Sequence, residues 1–142
     1  MELTKKFTDR DYERALESWE WLDLTGLSPQ FTSLFGDVFL VGPDGGWWFL
    51  DTFEGEVGKV WDDAAALTAT LETDQGQDRY LMGGLAFAAR ERRGLVLKDD
   101  EVYAYAPPPV ISGSFDVEDI KVFKFFVVVN MAGQIHQKVR GA

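Results

Sequence analysis

Apolar and polar positions recur along this chain with two different periods, and the places where the period changes divide it into elements. Tyr12, Ala15, Leu16 and Trp19 stand at helical spacing with Asp, Glu and Arg between them, which predicts an N-terminal helix. Thr8 can cap it, with Asp11 three positions on, a variant of the capping box. Gly26 and Pro29 end that region, and a short apolar turn, Phe31–Leu34–Phe35, follows before Gly36. From Asp37 the period becomes that of a strand. VFLVG, GWWFLDTF and EVGKVW are rich in β-branched and aromatic residues and are separated by Pro43-Asp44-Gly45-Gly46 and Glu54-Gly55, so residues 37–61 predict a three-stranded antiparallel meander. In such a strand Trp47 and Phe49 point one way, and Trp48 and Leu50 the other.

Asp62 or Asp63 can cap the next helix, with Ala64–Ala66, Leu67 and Leu71 as its inward stripe. TDQGQD interrupts it. A longer helix from Gln77 to Arg93 follows, with Tyr80 or Leu81, Gly84 or Leu85, and Ala88 facing the core and Gly94 as its stop. LVL and VYAYA flank Lys98-Asp99-Asp100-Glu101 and read as a second hairpin. Pro107-Pro108-Pro109 takes the chain out of the sheet, Ile111–Ser114 continues as a loop or short edge segment, and Phe115–Asp119 turns toward a last helix. There Phe125, Val128, Ala132, Ile135 and Val139 follow a 3-4-3-4 pattern that a helix gathers on one side, despite the strand propensity of Val127–Val129. Together these elements predict one α+β domain over residues 1–142: an antiparallel sheet of about five strands packed against N-terminal, central and C-terminal helices.

With 142 residues, 46% of them hydrophobic and 14% aromatic, the chain can bury a core of its own. Its formal charge of −10 repels phosphate backbones and anionic bilayers, so neither nucleic acid nor a membrane is an expected partner. A basic protein would instead be drawn in. There is no cysteine, hence no disulfide and no thiolate metal site. The N-terminal stretch has no apolar core of a signal peptide, and the longest apolar run, Phe125–Val129, is far too short to span a bilayer, so a cytoplasmic protein is expected.

Catalytic signatures are missing: no phosphate loop, no GxGxxG, no HExxH, no GxSxG. His136, the single histidine, falls one position past Ile135 at the margin of the apolar stripe and reads as a boundary residue bonded to backbone or water. Asp62-Asp63 reads as a helix cap and Asp99-Asp100-Glu101 as a solvated turn. Neither resembles a carboxylate pair set up for hydrolysis, though 24 acidic residues leave many pairs open. No cofactor and no metal is expected. Trp47 and Trp48 admit two readings: helices cover both sides of the strand, or one indole lies exposed as an anchor for a partner, with Asp44, Glu54, Glu56 and Asp62 around it.

Tyr103-Ala104-Tyr105, Pro107–Pro109, Ser112-Gly113-Ser114, Val117-Glu118-Asp119 and Gly133-Gln134-Ile135-His136 form a series that resembles the C-terminal domain of bacterial immunity proteins for type VI secretion nuclease toxins. Leu34-Phe35-Gly36-Asp37 and Gly45–Asp51 are similar to an upstream region of that family, so the resemblance runs from about residue 30 to the C-terminus. It departs at Ser112-Gly113-Ser114, where the family often has paired glycines. The resemblance implies a non-enzymatic protein that binds and neutralises a cognate antibacterial toxin, a basic nuclease. On the residues themselves, Asp44, Trp47, Trp48, Glu54, Glu56, Asp99, Asp100 and Glu101 are the candidate toxin contacts. A small carboxylate-dependent hydrolase and a general protein-binding module are the alternatives.

Overall fold

Alternation along the meander sorts its side chains onto two covered faces. In the computed structural model, which describes residues 1–141, the elements run β1 (Thr4–Lys5), α1 (Asp9–Leu16), a 3-10 segment (Glu17–Leu22), β2 (Ser28–Ser33), β3 (Val38–Val41), β4 (Trp47–Asp51) and β5 (Glu56–Trp61). Then come α2 (Ala64–Leu71), α3 (Asp74–Leu81), α4 (Gly83–Glu91), β6 (Glu101–Tyr105), α5 (Pro109–Ser112), a 3-10 turn (Val117–Asp119), β7 (Ile120–Lys124) and α6 (Phe125–Arg140). Strands β1 to β5 form an antiparallel sheet in sequence order, and β6 and β7 form a separate antiparallel pair. Val38, Leu40 and Leu50 face α1 and α6, in a core with Tyr12, Trp19, Phe125 and Val129. Phe39, Phe49 and Trp61 face the other way, against Leu67 of α2 and Leu81 of α3. A third cluster, Leu34, Phe35, Ala86, Ala89, Tyr103, Tyr105 and Ile120, joins α4 to the two-stranded sheet. The main chain links the two sheets through Tyr103 N–H, which donates to Leu34 O at 2.8 Å.

The α+β class and the meander follow the sequence pattern, including the register that puts Trp48 and Leu50 on one face and Trp47 and Phe49 on the other. The five strands are a different set from those expected, however. Ser28–Ser33, which spans the terminator Pro29 and the start of the expected apolar turn Phe31–Leu34–Phe35, is a strand, and Pro29 is tolerated there because β1 pairs only with Thr32 and Ser33 and a bulge lies between Pro29 and Phe31. Leu95-Val96-Leu97 is not a strand: Leu95 and Leu97 pack inward while the Leu95 backbone is engaged by Ala89 O and the Tyr103 hydroxyl. The partner of β6 is β7, whose Ile120–Lys124 alternation was absorbed into the approach to the last helix.

Other boundaries shift for local reasons. Thr73 accepts from Gly76 N–H and starts α3 inside the supposed break, while the real interruption is Met82, at φ 51, ahead of Gly83-Gly84. Asp63 rather than Asp62 caps α2, and Ala64 and Ala65 are exposed. Ile111 and Ser112 lie in the short α5. Helix α6 is where the spacing put it, but its buried line is Phe125, Val129, Gly133 and His136, with Val128, Ala132 and Ile135 half-buried beside it and Val139 exposed. The helix is rotated because the 3-10 segment docks on it: Trp19 Nε1–H donates to Val129 O at 2.9 Å and Ser18 Oγ–H to Asn130 O at 2.6 Å.

That docking requires Gly133. A methyl group there would overlap Ser18 Oγ and approach Ser18 O to 2.8 Å, a backbone atom that cannot step aside. We expect Gly133→Ala to destabilise the fold by about 2 kcal/mol in urea unfolding despite alanine's better helix propensity. Gly84→Ala, whose methyl would meet nothing closer than Asp78 Oδ1 at 3.8 Å, is expected to be neutral or to stabilise by up to about 1 kcal/mol.

Candidate functional site

The candidate contacts read from sequence fall into three separate places. Asp44 sits in the β3–β4 turn, where it accepts from Gly46 N–H at 3.0 Å and pairs with Lys59 at 3.2 Å. Those bonds, the Gly46 amide first, hold its carboxyl below the usual range. Glu54 and Glu56 lie at the other end of the hairpin, since Asp51 pairs with Glu56 while Trp47 pairs with Trp61. The idea that Asp44, Glu54, Glu56 and Asp62 rim one face therefore does not hold. Asp99, Asp100 and Glu101 form a third locus before β6. There the Lys5 ammonium donates to the carbonyls of Lys98 at 2.5 Å and Glu101 at 2.8 Å, and Asp100 pairs with Lys124 at 3.6 Å. Desolvation of the Lys5 amine lowers its pKa against the pull of Asp99, Glu101 and Asp100.

Trp47 and Trp48 follow the first of their two readings. Both are half-buried: Trp47 lies 5.9 Å from the Phe31 ring, and Trp48 packs at the edge of the α1–α6 core. Neither is an exposed anchor.

His136 is not a boundary residue. Only 3% exposed, it is the last member of the buried line of α6, 5.8 Å from the Trp19 ring, and its Nε2–H donates to Thr52 O at 2.8 Å. The expected backbone hydrogen bond is thus present, in the interior. Gly55, at φ 70, makes room for the ring, because a methyl there would come within 2.6 Å of Nδ1. Thr52 reaches further. Its N–H and Oγ1–H both donate to Asp37 Oδ1, at 2.8 and 2.7 Å, and Ser33 Oγ–H donates to Asp37 Oδ2 at 3.1 Å. Asp37 is 2% exposed. Burial, reinforced by the charge of Asp51, pushes its carboxyl up to about 7 against the opposing hydrogen bonds from Thr52 and Ser33. Sequence reading matched Asp37 only as part of a motif; a lone carboxylate opening the apolar run VFLV was the signal for a buried one.

Beside this network an apolar pocket of about 160 Å³ opens between α6, the Pro108–Val110 strap and the β4–β5 turn. Phe53, Tyr105, Val128, Ala132 and Ile135 line it, and His136 and Thr52 close its inner end. Val127 and Met131, on its α6 wall, are exposed, as are Ile111 and Phe115 on the strap side. The Phe115 ring lies tilted against Phe53 and edge-on to Tyr105, with ring centroids 5.5 and 5.4 Å apart. Sequence reading takes Val128, Ala132 and Ile135 as the inward stripe of the helix and sees no pocket there; Val127 and Met131, apolar yet outside that stripe, are the signal. Among the described residues no group of three acidic or histidine side chains is placed to hold a metal ion, and no helix is long and apolar enough to cross a membrane.

The Asp37 environment fixes a pH dependence. Its folded pKa lies above the unfolded value of 3.8, so the folded chain holds the proton more tightly, and the stabilisation this provides is complete below 3.8 and lost as pH rises toward 7. The loss is on the order of 4 kcal/mol. Asp37→Asn keeps an acceptor for Thr52 and offers an N–H to Ser33, mimicking the protonated acid. In chemical unfolding between pH 4 and 8 we expect the stability difference between the two proteins to shift in favour of Asn as pH rises; a constant difference would show that Asp37 does not titrate in this range.

No protein-family model matches the chain, and a search of curated proteins finds no match. Among solved structures it is similar to Atu4351 from Agrobacterium tumefaciens, at 15% identity and a TM-score of 0.58, over 86% of this chain. The chain spans 63% of the length of that protein. At this identity the likeness shows a shared fold.

Proposed function

We propose that the protein is an immunity protein that binds a cognate antibacterial toxin, a basic nuclease, and neutralises it by occupying its working surface. The observation that carries this reading is the apolar pocket beside α6, with Val127 and Met131 exposed on its wall and Phe115 exposed against its Phe53 and Tyr105, on a chain of charge −10. A contiguous apolar surface on an otherwise acidic exterior suits a protein partner, because each exposed side chain gains only when another surface covers it. The pocket is of a size to take one large side chain as an anchor. The surrounding charge supplies steering toward a cationic partner and rejects nucleic acid, so inhibitor and substrate compete for the same positive surface.

Two further features support binding over turnover. The buried carboxylate of Asp37 and the buried imidazole of His136 are both committed to bonds that hold the fold. The resemblance of residues 103–136 to the immunity family points the same way. Toxin neutralisation in the bacterial cytoplasm is the role this reading assigns.

Co-expression with the toxin encoded beside its gene is expected to rescue growth and yield a copurifying pair that loosens as salt rises. Val127→Glu with Met131→Glu, on exposed positions of α6, is expected to weaken the pair at least tenfold, about 1.4 kcal/mol. Reversing Asp99, Asp100 and Glu101 together tests the contact surface read from sequence. If neither set changes the affinity measured by calorimetry, the partner sits elsewhere; if no toxin is neutralised, the immunity reading fails.

A further inference from the structure

A second concave surface lies along the N-terminal segment, and its chemistry differs from that of the α6 pocket. Glu13, Glu17 and Glu20 fall at i, i+4 and i+7, on one side of α1 and its 3-10 continuation, and Asp23 closes the row at the end of that segment. All four carboxylates line an open groove of about 530 Å³. Its floor is apolar: Leu16, Leu24 and Leu27 are half-buried in it, and Leu40 of β3 lies beneath. No cationic side chain lines the groove, and among the described residues none of the four carboxylates has an ion-pair partner. Arg14, the cation nearest in sequence to Glu13, is turned away, with its guanidinium 3.6 Å above the Phe126 ring of α6.

We infer that this groove is a docking site for a protein segment that carries lysine or arginine around an apolar anchor. The inference rests on the toxin-binding reading for the identity of its partner and assigns the basic part of that partner a seat. Charge decides the occupant. Neighbouring like charges on one helix side repel one another, and here no internal cation offsets them. Asp23 accepts hydrogen bonds from Thr25, side chain and backbone, which keep its carboxyl below the usual range and therefore ionised. A metal ion does not suit the arrangement, because no three of the acidic groups converge on one point. The row extends over about 15 Å at helical rise, the reach of several successive basic side chains rather than of a single ion. Nucleic acid and anionic lipid are excluded by sign. The leucine floor gives a basic segment something a fully solvated acidic face would not: apolar area to cover while its cations meet the rim.

The test uses the full chain and three synthetic peptides of about 15 residues: leucine and lysine at amphipathic helical spacing, leucine and glutamate at the same spacing, and serine and lysine of equal charge. Backbone amide shifts are followed by NMR at low salt. The leucine–lysine peptide is expected to bind, with shifts concentrated in residues 13–27 and at Leu40, and the other two at least tenfold more weakly. The surface variant Glu13→Gln, Glu17→Gln, Glu20→Gln, Asp23→Asn keeps the side-chain shapes and is expected to lose at least tenfold in affinity for that peptide while melting no lower than the unmodified chain. Shifts centred on the α6 pocket or on Asp99–Glu101, equal binding of the serine–lysine peptide, or an unaffected variant would each overturn the docking site. With the toxin as probe, undiminished affinity of the variant would overturn this seat and leave immunity standing. Failure of the unmodified chain to protect against any toxin would remove the immunity reading, while the peptide shifts still decide the groove.

Discussion

Thr52 holds this fold together at one point. Its amide and hydroxyl donate to Asp37, its carbonyl accepts from His136, and Asp37 in turn receives Ser33. Four segments meet there: the end of β2, the start of β3, the end of β4 and the C-terminal half of α6. None of the three polar side chains could be buried alone, since a carboxylate or imidazole without a partner costs several kcal/mol away from water. Each is tolerable only because the others are in place, which fixes the position of α6 on the sheet more narrowly than apolar contact does. Gly55 and Gly133 are the steric conditions for this seating, one clearing the imidazole and the other admitting Ser18.

With α6 fixed on one face and α2 and α3 on the other, the centre of the sheet is covered on both sides, and the two tryptophans of β4 are half-buried as packing, while exposed positions remain on β2 and β5. The two concave surfaces left for interaction lie at the flanks of the helices. One is apolar and backed by the proline strap; the other is leucine-floored and acid-rimmed along α1. The acidic turns that attract attention in the sequence are scattered to different ends of the molecule, and two of the three are already compensated by Lys59, Lys5 and Lys124.

Periodicity made most of the fold legible. Strands β3 and β4 follow their alternation residue by residue, a bulge at Val60 breaks it in β5, and the Thr8, Asp63 and Gly94 signals stand where capping chemistry puts them. The misreadings share one cause: a local pattern compatible with two structures, settled by a distant contact. Leu95 and Leu97 alternate like a strand but are packed without a ladder, whereas Pro29 reads as a terminator and is accommodated on the part of β2 that β1 leaves unpaired. The stripe on α6 was off by one position because Trp19 and Ser18, more than 100 residues earlier in sequence, bond to carbonyls of that helix. The same rotation carried His136 inward and pushed Val127 and Met131 outward. No short-range pattern encodes it, so the candidate site was the least legible part.

The remaining departures from local consistency are informative because they have no structural compensation. Inside the molecule the two buried ionisable side chains are answered: the aspartate has three donors, and the histidine has an acceptor and a glycine cut to its shape, while the Trp21 Nε1–H is buried without an acceptor. On the surface, two unanswered exceptions coincide with concave surfaces. Glu13, Glu17 and Glu20 repel one another with the nearest arginine turned aside, and Val127 and Met131 stand in water beside an apolar pocket. Either could be relieved by a single substitution without touching the core. A chain that pairs its buried carboxyl and imidazole and leaves these two faces costly in isolation is one whose exterior is matched to a partner, since the missing cations and the missing apolar cover are what a basic protein surface with an apolar anchor would supply.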